Sequence, residues 1–173
     1  AMAQVAGGAF QQGITPIAMM AAPSFNDSFV REGFALAPLF TSGSMYVTAF
    51  TQPYEANTPG HAAMRATFDA VGQATGNLFV TAGWTSQYHL KDVLEAAIKG
   101  GDITRAGIRR AAANVNVSSD QMMPIKNLGQ EGGQTETYVG VPTADNLSGI
   151  NTLAWPYTGP TAAAKDWTAG PCS

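Results

Sequence analysis

Segments of helical and strand period alternate as far as residue 117, and a glycine or proline punctuates most of them. Strands separated by helices pair in parallel through crossover connections, so this order admits few architectures. In the opening helix Met2, Val5, Ala9 and Phe10 fall at the spacing of one buried face, and Gly13 sits where a left-handed cap belongs. "ITPIAMMA" (14–21) reads as a short buried strand whose Pro16 confines its first half to an edge or a lead-in. Asn26 or Asp27 is placed to cap a helix over "SFVREGFALAPLF". "SMYVTAF" (44–50) is a strand rich in β-branched and aromatic residues. The loop "TQPYEANTPG" then leads to Thr58 and Pro59, a cap followed by proline at the first helical position. Met64, Phe68, Val71 and Thr75 share one stripe of the helix behind it.

"LFVTA" (78–82) reads as a third strand, and Trp84 to Tyr88 as the loop between it and the next helix. In that helix Leu90, Val93, Leu94, Ala97 and Ile98 repeat at three-to-four spacing, and Gly100-Gly101 stops it. "DITRAGIRRAAANV" is a further capped helix, expected to bury Ile108, Ala111 or Ala112, and Val115. Beyond Val117 the pattern changes. "GQEGGQ" suits a turn, the Thr/Tyr/Val run after it a strand or hairpin, and residues 148–173 an irregular tail laid over the surface. The expected order is therefore α-β-α-β-α-β-α-α, with 1–147 as one unit and 148–173 as its tail.

Composition excludes several functions. Charged residues are 12% of the chain, about half the roughly 25% of ordinary soluble domains. With a net charge of −3 and no run of Lys or Arg, the cationic footprint that neutralises nucleic-acid phosphates is lacking. No apolar run approaches the roughly 20 residues needed to span a bilayer. One cysteine, Cys172, builds neither a zinc site nor an internal disulfide; it is an unpaired tail thiol, or its partner lies elsewhere in a longer protein. Neither His61 nor His89 has a ligand-type neighbour in sequence, and HExxH, GxSxG, the P-loop and GxGxxG are lacking. Glu131, Glu136 and Asp145 are scattered, with nothing to select an acid/base pair. The chain reads as one that holds a ligand rather than transforms it, and no metal or cofactor is implied.

Two stretches carry a resemblance. "GITPIAMMAAPSF" and "FVTAGWTSQYHLKDVLEAAIKGGDITRAGIRRAAANV" resemble the second lobe of type I periplasmic binding proteins of the branched-chain amino-acid class. Members of that class are far longer, so the resemblance is to their C-terminal portion, over residues 1 to about 145. It implies an α/β fold with a parallel-sheet, Rossmann-like lobe, one of two lobes that close on a small solute. It also implies delivery to the membrane permease of an ABC importer, a periplasmic or cell-surface location with or without a lipid anchor, and no enzymatic activity. The N-terminal half of the same protein would be a partner, and a lobe taken alone would expose part of an apolar face.

In the family the loop after the first of these strands contacts ligand, and here it carries Pro23, Ser24, Phe25 and Asn26. Branched-chain amino-acid binders commonly hold an acidic residue there for the ligand's ammonium group. Pro23-Ser24-Phe25 offers none, with Asp27 further on, which counts against a free α-amino acid and leaves room for a less polar solute; amino acid, amide and less polar small molecule all stand as candidates. Tyr54, in the loop after the second strand, and Trp84 and Tyr88, between the third strand and its helix, complete the candidate site. A ligand-sensing extracellular domain of the same fold is the alternative function, and an enzyme with catalytic residues outside this chain a further one.

Overall fold

A computed structural model describes residues 2–72, 76–117, 119–124, 126–127 and 135–165. The "GQEGGQ" turn and Cys172 lie outside the described residues, as does Thr75. Helix α1 (Met2–Gln11) ends as expected at Gly13, whose φ of +75° is the left-handed conformation that glycine adopts without strain. Strand β1 (Ala18–Ala21) is shorter than the sequence suggested, starting two residues beyond Pro16. Asn26 does act as a cap, its Oδ1 accepting from the Ser28 N–H at 2.9 Å. The capped element, however, is one 3-10 turn (Asp27–Val30), and only a single α-turn, α2 (Ala37–Phe40), forms later. Gly33 between them has φ +89°, so the continuous helix expected over 28–40 is broken there.

Strand β2 (Met45–Ala49) and helix α3 (Pro59–Ala70) come next in the chain, α3 with Thr58 Oγ1 accepting from the His61 N–H. The largest departure is the element after α3. No third parallel strand forms at 78–82: Leu78–Lys99 is one helix, α4. Asn77 caps it, accepting from the Val80 N–H at 2.9 Å, and Leu78, Thr81, Thr85, Val93 and Ala97 form a single buried stripe along it. A five-residue apolar run does not by itself distinguish a strand from buried helix, and here the cap and the stripe decide. Leu90 and Ile98, from the expected apolar face, remain exposed. Gly83 stands inside α4, where a Cβ would meet nothing within 4 Å. Gly83→Ala is therefore expected to raise stability by about 0.5–1 kcal/mol, read as a rise in the denaturant midpoint at unchanged m.

Helix α5 (Arg105–Ala112) is capped by Thr104 and half-buries Ile108, Ala111, Ala112 and Val115. The two-residue strands β3 (Asn116–Val117) and β4 (Lys126–Asn127) pair with each other. Strand β5 (Thr137–Pro142) appears where a strand was expected. The tail is not irregular throughout: Ile150–Tyr157 is strand β6 and Pro160–Ala164 a short helix, α6. The central sheet has the order β1-β2-β5-β6. Its β1–β2 pair is parallel, whereas β5 and β6 add in antiparallel fashion.

One face of this sheet is the core. Met20, Met45, Val47, Tyr138 and Ile150 are all at most 1% exposed and pack with Leu39 and Phe40. Phe25, Phe29, Phe34 and Phe40 extend that core as a run of ring contacts 5.0–6.1 Å between centroids. On edge strand β1, Met19 is 62% exposed, an uncovered apolar position of the kind anticipated for a lobe taken alone.

Candidate ligand-binding site

The carboxyl ends of β1 and β2 point the same way, and between them and the start of α4 lies a hollow of about 310 Å³. Open α/β sheets bind ligands in just this position, outside the carboxyl ends of parallel strands. Ala21, Ala22 and Pro23 wall it after β1, Ala49 and Phe50 after β2, and Leu78, Phe79 and Ala82 on α4. The polar side chains are threonines. Thr51 is fully buried and committed, its hydroxyl bonded to the Met122 carbonyl at 3.0 Å and to Thr85 Oγ1 at 3.2 Å. Thr137 is committed too, donating to the Ala49 carbonyl at 2.8 Å. No charged side chain is among the described residues of the lining.

A second hollow, about 390 Å³, adjoins the first through Pro23 and Phe79, which line both. Ser24, Phe25 and Asn26 line it together with Ala3 and Phe29. The four loop residues expected to contact ligand are thus brought together around this pair of hollows. Phe25 contributes mainly as core, being 3% exposed and packed edge-on to Phe29.

Trp84 and Tyr88 stand elsewhere. Because 78–82 is helical, both lie within α4 rather than at its mouth. With Gln87, Lys91 and Asp120 they line a third hollow of about 290 Å³, sharing no described residue with the first two. Burial, reinforced by the Asp120 carboxylate, pushes the Tyr88 hydroxyl above its ordinary range. Tyr54 lines none of these hollows among the described residues; it is 6% exposed and packs with Met64 and Met122. Its carbonyl and that of Ala56 accept from Arg65 Nη1 at 2.7 and 3.0 Å, which fixes the loop after β2. The Gln52 N–H ties the same loop to the Met122 carbonyl at 3.2 Å.

Two features of the site had no sequence signal. Phe79 was hidden inside an expected strand. The Ser119-Asp120-Gln121 turn takes φ of 49°, 43° and 66° without a glycine, a conformation costing about 1–3 kcal/mol per residue and held where neighbouring structure over-determines it. Among the described residues there is no cluster of His, Cys, Asp and Glu able to hold a metal ion, and no helix long and apolar enough to cross a membrane.

This mixed sheet, with an apolar hollow at the ends of its parallel strands, is similar in fold to ABC transporter substrate-binding proteins. A fatty acid ABC transporter substrate-binding protein from Thermomonospora curvata matches with a TM-score of 0.79 and 16% identity, over 95% of this chain and 42% of its own. A branched chain amino acid ABC transporter from Thermus thermophilus, solved with bound valine, matches with a TM-score of 0.66 and 14% identity, over 93% and 44%. The chain therefore spans less than half the length of either protein, and corresponds to part of the type I periplasmic-binding fold. At such identities the likeness is one of fold. No protein-family model matches the chain, and no curated protein matches it in sequence.

Proposed function

We propose that this chain is the C-terminal portion of an extracytoplasmic solute-binding protein. It holds a small molecule of low polarity between two lobes and presents it to the permease of an ABC importer. The observation that carries this reading is the first hollow: it lies where the fold binds ligands, and its described lining is alanine, proline, phenylalanine and leucine with committed threonines. An α-amino acid would bring an ammonium and a carboxylate that this surface leaves unpaired, and unpaired buried charge costs several kcal/mol. A hydrocarbon group gains there about 25 cal/mol per Å² removed from water. The fold shared with two transport proteins supports binding and delivery over catalysis.

A thermal-shift screen of the full-length protein against amino acids, amides, short-chain and aromatic acids, and sterol-like compounds tests the reading. A ligand at a hundredfold excess over Kd adds about 2.7 kcal/mol to stability. Shifts are expected from the less polar classes; a shift from free amino acids alone would overturn the low-polarity assignment. Turnover of any of these compounds would overturn the binding function itself.

A further inference from the structure

Pro23 and Phe79 are the two described residues common to the adjoining hollows, and they differ in what they can do. Pro23 sits in a 3-10 turn (Ala22–Ser24) with its φ fixed by its ring. Phe79 belongs to the first turn of α4 and is 51% exposed, on a side chain that two torsions can turn. The hollows themselves differ in chemistry. Beyond the partition, on the Ser24–Asn26 side, lie the Ser24 hydroxyl and the side-chain amide nitrogen of Asn26, whose Oδ1 is engaged by the Ser28 N–H. On the strand side the wall is Ala21, Ala49, Leu78 and Ala82, without a described charge.

Building on the low-polarity reading above, we infer that the ligand is a straight-chain amphiphile and that Phe79 determines how long a hydrocarbon chain the protein accepts. The small polar head lies beside Ser24 and Asn26, and the chain crosses the partition into the hollow at the strand ends. Each further methylene buried there tightens binding roughly fourfold until the chain fills the space Phe79 leaves, after which added carbons stay in water and add nothing. Truncating Phe79 removes the movable part of the wall between the hollows, leaving Pro23, and lengthens the path; enlarging it shortens the path. Because the side chain is half in solvent, neither change disturbs the core.

The test is calorimetric titration of the full-length protein with straight-chain monocarboxylates from butanoate to dodecanoate and with the matching primary amides. The unaltered protein should show affinity rising with chain length to a plateau. Phe79→Ala should move the plateau to chains at least two carbons longer, and Phe79→Trp to shorter ones. A plateau that stays in place in both variants overturns the role of Phe79 while leaving the low-polarity reading intact. Failure of the unaltered protein to bind any member of either series, with melting behaviour normal, overturns the straight-chain inference, while the thermal-shift screen decides the low-polarity reading separately.

Discussion

Replacing Gly140 with alanine is expected to destabilise the fold by about 3 kcal/mol or more, lowering the melting temperature by about 10 °C for a chain of this size. Gly140 lies in β5, opposite Val47 on one side and Thr152 on the other. A Cβ there would meet the Tyr138 hydroxyl and the Ile150 Cγ2 methyl at impossible range, and the Asn151 carbonyl oxygen at 2.7 Å. A side chain in the way can swing aside, but a carbonyl in a paired strand cannot without breaking the ladder. Tyr138 has little freedom either. It is fully buried against Trp155, and burial pushes its hydroxyl well above the ordinary range, so moving it into water or into other core atoms is costly. The strand therefore accommodates a large ring at 138 only because position 140, on the same face, carries no side chain. Thermal melts of Gly140→Ala beside Gly83→Ala make the comparison: same chemical change, opposite sign. Equal melting temperatures for the two variants would show that this β5–β6 packing is wrong.

That contrast also marks how much of the fold is legible in the sequence. Local punctuation is legible where one residue does one job: Gly13 ends α1, Asn26 caps a turn, and Thr58-Pro59 opens α3. Periodicity is legible in α4, but it reveals a repeat without revealing a partner, so it assigns Leu90 and Ile98 to a buried face that no described element covers. The run Leu78–Ala82 misleads because its β-branched residues and its brevity suit a strand equally well, while Asn77 suits the end of one helix as well as the cap of the next. That one ambiguity moves Trp84 and Tyr88 from a loop into a helix, and hides Phe79. Strand β6 escapes for the reverse reason: Trp, Pro and Gly in a tail suggest irregularity, yet Ile150–Tyr157 finds its ladder on β5. Non-local pairing of that kind leaves no periodic mark in an eight-residue segment with only one fully buried side chain. The Pro23–Asn26 loop is legible because a strand followed by small and turn-forming residues is a local pattern.

Acid is expected to weaken this protein through His61. The imidazole is 0% exposed on the first turn of α3, and burial lowers its pKa from the ordinary 6.5 to about 4. The Gln52 backbone and the Glu55 carboxylate oppose the shift in part, and the Arg65 guanidinium adds to it. Local geometry gives the same direction. Thr58 Oγ1 accepts from the His61 N–H at 3.3 Å and lies 2.7 Å from Nδ1, where its proton can serve a neutral ring. A proton on Nδ1 would require the hydroxyl to turn its own proton away and accept instead. It would also place a positive charge at the positive end of a helix dipole. Above pH 6.5 the ring is neutral in both folded and unfolded chains, and its protonation contributes nothing to the balance. As pH falls from 6.5 to 4 the unfolded chain takes up a proton that the folded one resists, so stability is lost across that window. A fall from 6.5 to about 4 amounts to about 3 kcal/mol by pH 4. Denaturant unfolding at pH 7, 5.5 and 4 should show it as an excess loss in the unaltered protein over His61→Gln, which cannot titrate and shares every carboxylate. If both proteins lose stability in parallel, the ring finds a way to charge within the fold, and the Thr58–His61 hydrogen bond does not constrain it. If the excess appears instead between pH 7 and 8, the titrating group is not His61.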